Sequence, residues 1–301
     1  MADRRAKQAA ELIKPLRVKP GTKVTLAKDF DPGYKAGFLH KNEGAQLLHQ
    51  GTELLQEYQT RLAAQDSYGL LVVLQALDAG GKDGTIRHVM SGVNPQGVMV
   101  HSFKVPSAEE LSRDFLWRYS QHLPARGEIG IFNRSHYEEV LVVRVHPENL
   151  DRQRLPAAAK GKGVWRRRYR EINDWECYLS DNGFRIVKLF LNLSKEEQRI
   201  RFMKRLDLPE KNWKFSANDI KERQYWDDYQ QAFSEMLSQT STPWAPWYVI
   251  PADHKYVAWL TVAEAIIAAL EGLKLEFPKV QGKALDELKK AERALKAEKP
   301  R

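Results

Sequence analysis

Residues 70–90, LLVVLQALDAGGKDGTIRHVM, decide how the rest of the chain is read. An apolar, β-branched run stops at a glycine turn, a lysine follows, and the apolar spacing becomes that of a helix. Strand, glycine turn and helix start make a phosphate cradle, because loop N–H groups and the helix N-terminus converge on an anion. The loop departs from the G-x-x-x-x-G-K-[ST] pattern twice, with Ala76 at the first glycine and Asp83 after the lysine. The loop positions Ala79, Gly80, Gly81 and Gly84 are expected to turn amides toward phosphate. Lys82 is a point charge able to follow a phosphoryl group in transfer. Asp78 is a carboxylate inside an anion site, which makes sense if a metal ion sits between the two. Asp83 is left as an acid favourable in a first helical turn.

Outward from this loop, apolar runs alternate with helical patterns, which predicts an α/β fold with a mainly parallel sheet. Strands are expected at 69–77, 97–105, 128–133, 184–194 and 247–253, whereas VLVVRVH at 140–146 reads as either strand or helix. Ser107 with Glu110, Ser194 with Glu197 and Ser216 with Asp219 are spaced as capping boxes. They predict helices over AEELSRDFLWRYSQHL and QRIRFMKRL and one long helix from 217 toward Pro243. Another helix is expected at 165–182, closed by Gly183. Residues 1–66 read as an N-terminal extension packing on the core, 67–273 as one kinase-like domain and 274–301 as a charged helical tail.

Two further segments carry chemistry. In EIGIFNRSHYEEV a strand ends at Asn133 and Arg134, where P-loop enzymes place an acidic residue toward Mg²⁺. Asn133 offers a carbonyl oxygen without charge, so Asp78 must supply the carboxylate. Glu138 and Glu139 follow, either within reach of the site or as a solvated acidic helix start. In RIRFMKRLDLPEKNWKFSANDIKER, Arg201, Arg205 and Lys214 belong to a basic cluster placed where P-loop kinases carry a mobile lid, here about 195–225. The arginines at 166, 167, 168 and 170 oppose the dipole of a helix start. They imply either an anionic partner or an acidic surface elsewhere in the protein. Trp117, Trp175, Trp226 and Trp259 fall on helical stripes and read as core.

The composition narrows the partners. Lys and Arg number 48 against 39 Asp and Glu, a formal +9. That excess favours polyanions: nucleic acid, nucleotides, inorganic polyphosphate or an acidic membrane. No nucleic-acid motif accompanies it, so nucleic acid is not the expected partner. No apolar run reaches membrane-spanning length, and the single Cys177 forms no intrachain disulfide, so the expectation is a soluble cytoplasmic protein. The eight histidines show no metal-ligand spacing. An ATP-dependent P-loop kinase and a non-catalytic nucleotide- or RNA-binding regulator both remain compatible with the residues alone.

DAGGKDGTI, GEIGIFNRSHYEEVLVVRVHPE and RFMKRLDLPEKNWKFSANDIKER, in this order, resemble the type-2 polyphosphate kinases over roughly residues 15–275. Asn133, where many members have Asp, resembles the class III branch, which phosphorylates AMP and ADP. The resemblance implies a thymidylate-kinase-like P-loop fold, with a parallel sheet wrapped by helices and a helical lid. It also implies Mg²⁺ as cofactor and a homo-oligomer, dimer or tetramer, acting on polyphosphate with AMP, ADP and ATP. By the same resemblance Asp78, Lys82 and Arg134 are catalytic, Asp78 and Asn133 hold metal, and Asn133 and Glu138 touch nucleotide. Arg87 and the basic residues of 201–214 would then track the polyphosphate chain.

Overall fold

The computed structural model describes residues 11–35, 37 and 41–298, so the first ten residues of the expected N-terminal extension and the last three of the expected tail lie outside it. Its five strands are β1 (Gly69–Ala76), β2 (Val98–Ser102), β3 (Ile129–Asn133), β4 (Phe184–Asn192) and β5 (Trp247–Pro251). They form one parallel sheet in the order β2-β3-β1-β4-β5. All five lie inside the stretches expected from the sequence. β1 is central, and its side chains are buried on both faces from Gly69 to Gln75. That is why its run is continuously apolar instead of alternating.

The longer helices are α1 (Lys41–Gln65), α2 (Lys82–Val89), α3 (Val164–Asp181), α4 (Lys195–Asp207), α5 (Trp226–Thr240), α6 (Lys255–Glu271) and α7 (Lys283–Ala297). Leu70, Val72 and Leu74 of β1 pack with Leu55 and Leu62 of α1 and Val262 and Ile266 of α6. Leu71 and Val73 point the other way, against Ile172 and Leu179 of α3 and Phe233 and Leu237 of α5. The period of two in the strand thus separates two helical layers. The segment before α1 joins both: Leu16 enters the first core and Val18 the second. Val18 N–H donates to Trp247 O at 2.9 Å, which covers the β5 edge. By contrast α7 is exposed along its described length.

Several helix expectations change. VLVVRVH contains no strand: a 3-10 turn over His136–Val140 leads into the short helix Val142–Val145. The helix after Ser107 has both bonds of its capping box but stops at Ser112, because Arg113 is extended (φ −102°, ψ 174°). The chain resumes helix at Trp117–Ser120. Ser194 and Ser216 cap only by accepting from Glu197 N–H and Asn218 N–H. Glu197 and Asp219 turn instead to Arg201 and Arg205. The long helix expected from 217 is divided by a 3-10 turn at Arg223–Tyr225. No helix among the described residues is long and apolar enough to cross a membrane.

Candidate active site

The registers bring the strand ends level. Leu74 lies opposite both Asn133 and Leu189, and the sheet changes direction of growth at β1, so its C-terminal end opens into a crevice. The loop after β1 and the Asn133–Arg134 pair emerge there side by side, with Arg134 N–H donating to Leu74 O at 3.1 Å.

The loop is shaped by backbone geometry and by braces from α4. Ala79 and Gly81 have φ of 60° and 98°. A Cβ on Gly80 would lie 2.5 Å from the Ala76 Cβ, so only glycine fits there. Gly84 is different. It lies in the first turn of α2 with open space around it, so its backbone does not demand glycine. Arg201, expected on phosphate, donates to the carbonyls of Ala79 and Gly80, both at 3.1 Å, and to that of Ala252. Gln198 donates to Asp78 O at 2.9 Å. Turning the carbonyls toward α4 leaves the opposite face of the loop to the amides. Arg201 therefore positions the loop while also lining the cavity.

The functional side chains meet in front of it. Arg134 (φ 65°) pairs with Asp78 at 2.9 Å. Lys82 Nζ donates to Ala76 O at 2.9 Å. Burial, then the Arg134 charge, pushes the Lys82 ammonium below its ordinary value, while Asp78, Glu138 and Asp83 oppose them. Burial also raises the Glu138 carboxyl, against the pull of Arg134 and Lys82. Gln75 satisfies its neighbours only with its amide nitrogen toward Glu138 Oε1, at 2.9 Å. Glu139 is not solvated: it is buried against Arg168, with Oε2 2.5 Å from Nη1, and it borders a second, smaller pocket instead of the anion cavity. That pair decides in favour of an internal acidic partner for Arg168 of the basic stretch.

The crevice encloses about 710 Å³, lined by ten Lys or Arg side chains and by two carboxylates, Asp78 and Asp83. Arg87, Arg205 and Lys214 are among the ten, as expected, although Arg205 also pairs with Asp219 at 3.3 Å. Lys204 and Lys211 come from the expected basic stretch, whereas Lys104 and Lys255 were not singled out from sequence. Lys104 and Lys255 sit just beyond the ends of β2 and β5, the signal that could have found them. Such an excess focuses a positive potential inside a concave, low-dielectric wall. Phe103, Lys104 and Arg134 are shared with a second pocket of about 190 Å³. Apolar side chains such as Val105, Leu111, Val142 and Val143 line it together with the charged Arg118, Glu138, Glu139 and Arg152.

The donors suit a divalent cation. Among the described residues no cluster of three His, Cys, Asp or Glu is placed to hold a metal. Mg²⁺ does not require one, since it takes one or two carboxylates, waters and substrate phosphates. Asn133 Nδ2 donates to Asp83 Oδ1 at 2.9 Å and to Ser102 Oγ at 3.2 Å. Its Oδ1 is buried and accepts no hydrogen bond. An unsatisfied buried carbonyl oxygen beside two carboxylates fits a hard cation. Asp83, left as a helix-start acid on the sequence alone, thus orients Asn133.

The description "Polyphosphate kinase 2" matches residues 38–278. The chain belongs to the polyphosphate kinase 2 family. It is accordingly a phosphotransferase. An ADP-polyphosphate phosphotransferase of Rhodopseudomonas palustris is 52% identical over 269 residues, 88% of this chain and 92% of the relative. An AMP/ADP-polyphosphate phosphotransferase of Meiothermus ruber is 48% identical, covering 88% and 96% respectively. The crystal structure of polyphosphate kinase 2 from Arthrobacter aurescens TC1 superposes with a TM-score of 0.84 at 42% identity, over 96% of this chain and 97% of that one. The polyphosphate kinase 2 fold is thus the P-loop kinase sheet described above.

Proposed function

We propose that the protein transfers the terminal phosphoryl group of inorganic polyphosphate to the phosphate of AMP or ADP, reversibly and with Mg²⁺. The observation that carries this reading is the pair of joined cavities. One is large and lined by ten cationic side chains, and the other is small, largely apolar in exposed surface and shares Phe103, Lys104 and Arg134 with it. The large one suits a polyanion longer than a triphosphate, and the small one a nucleoside. Two named relatives, an ADP- and an AMP/ADP-polyphosphate phosphotransferase, support it.

In the reaction an oxygen of the acceptor phosphate bonds to the terminal phosphorus of the chain. The bridging P–O bond breaks, and its electron pair leaves on the shortened chain. The acceptor oxygen is already ionised, so no strong base is required, and the barrier is the approach of two anions. Catalysis is then positioning and electrostatic stabilisation. Lys82, Arg134 and the loop amides meet the charge of the moving group. Glu138, within the electrostatic reach of both cations, holds them toward the acceptor side. Asp78, Asp83 and the Asn133 carbonyl would hold Mg²⁺, which would neutralise phosphate charge. The segment 195–225, bringing Arg205, Lys211 and Lys214 to the cavity, acts as the lid that excludes water.

Incubation with AMP, Mg²⁺ and polyphosphate in the absence of ATP tests the reading. ADP and ATP should appear. Phosphorylation that requires ATP would replace polyphosphate by a nucleotide donor, and tight RNA binding without transfer would remove the enzyme reading.

A further inference from the structure

One pair of rings on the cavity wall has no place in the reaction as described. His88, in the last turn of α2, stacks on Trp259 of α6 with centroids 3.7 Å apart and planes 23° from parallel. Both line the large cavity. Trp259 is not simply core, as its helical stripe suggested: one part packs against the apolar cluster of α6 and the other faces the anion site. We infer that His88, held on Trp259, is a ligand for the polyphosphate chain that takes up a proton from solvent as the chain binds. The inference rests on the polyphosphate reading above.

Position supports a role along the chain and not at the transferring phosphorus. Asp83 and His88 are five helical positions apart, a rise of about 7.5 Å. That places the imidazole at the far end of α2 from Asp78, Lys82 and Asn133. The stack supplies two things a phosphate ligand needs. It restrains the ring, so little side-chain entropy is left to lose, and an indole face favours a cationic neighbour. The C-terminal end of α2 favours the same charge.

The surroundings make the charge conditional. Burial first, then Arg87 on the same helix and Lys255 on α6, hold the His88 imidazole below its ordinary pKa. Around Lys255 stand Arg201, Lys204 and Lys211, with Glu197 as the opposing carboxylate. The β1 side of α2 is apolar, with Val72 and Leu74 against Val89. The two charges acting most directly on the imidazole, Arg87 and Lys255, are both cationic, while the cavity carboxylates Asp78 and Asp83 lie toward the other end of α2; a bound polyanion reverses the sign of the field at the ring. The bound state then has the higher pKa. Affinity from His88 is fully present below the free value and is lost as pH rises through the bound value.

Calorimetric titration of the full chain with linear inorganic polyphosphate, without Mg²⁺ or nucleotide, tests this. It is run at pH 6 and pH 8 in buffers of differing ionisation enthalpy, for wild type, His88→Gln and His88→Lys. The chain's own end groups also titrate, but they contribute equally to all three proteins. Wild type should take up more protons on binding than His88→Gln and bind about tenfold tighter than it at pH 6, with the two converging at pH 8. His88→Lys should bind tightly at both pH values and lose the extra proton uptake, which shows that the site remains folded. Identical proton uptake and pH dependence in wild type and His88→Gln would overturn the assignment of His88 while leaving the polyphosphate reading intact. Failure of all three proteins to bind would overturn that reading, and this inference with it.

Discussion

On one side of the segment 133–139, Arg134 and Glu138 stand near the anion cavity; on the other, His136 and Tyr137 reach into a region closed to solvent. There Glu176 Oε1 meets His136 Nε2 at 3.1 Å and accepts from Tyr137 Oη at 2.7 Å. Lys188 Nζ donates to Glu176, the Thr240 carbonyl and Tyr137 Oη at 2.6, 2.6 and 2.8 Å. All three protons of that ammonium have protein acceptors, and Lys188, Glu176 and His136 are fully buried. In front, ten cationic side chains share a cavity with two carboxylates. Charge satisfied internally joins β4, α3 and the end of α5 behind the segment. Charge left in excess is available to a substrate. One short stretch of chain divides a scaffold from a binding surface.

The sharpest way to break this comparison is to remove one partner from the buried side. Lys188→Met leaves the Glu176 carboxylate in a closed region without its cation and should cost about 3–5 kcal/mol of stability in urea denaturation. A loss below about 1 kcal/mol would show that the network does not hold the segment. On the cavity side, Lys82→Ala should slow turnover roughly 100-fold or more, with a denaturation midpoint near that of wild type. Near-normal turnover would take Lys82 out of the transition state. Asp78→Asn should raise the Mg²⁺ concentration for half-maximal activity by about tenfold or more, and an unchanged requirement would count against the metal assignment.

The smallest effect concerns pH. Burial, with Lys188 adding to it and Glu176 opposing, depresses the His136 pKa in the folded state. Unfolded chains bind that proton first, so the contribution is present above about pH 6.5 and is lost as pH falls, by at most ~1.4 kcal/mol per unit. His136→Gln should flatten stability in that range. An equally steep acid decline in the variant would assign the effect to other groups.

The strands were legible because a parallel sheet covered on both faces requires apolar runs, and composition alone betrays them. The meeting of Asp78, Lys82 and Arg134 at one cavity was legible because the two segments that carry them follow directly on the ends of adjacent strands. Glu139 and Arg168 were not. Each is an ordinary charged residue until a contact 29 positions apart in sequence pairs them. The helix after Ser107 was overextended for a related reason: its cap is local, but Arg118 bonds to the Lys104 carbonyl at 3.0 Å, a contact the pattern does not contain. Lys188 interrupts the apolar run FRIVKLFLN, and that interruption was the available sign of a buried partner.

Local chemistry therefore determined the sheet, the loop and the candidate residues that meet at the cavity, since strand burial, tight turns and helix starts each impose their own residue types. Tertiary structure decided which charges face one another. It set Arg201 and Gln198 on the loop carbonyls, Asp83 on Asn133 and His88 on Trp259. Those pairings depend on distances between elements remote in sequence, and an isolated side chain carries no record of the partner that packing will bring to it.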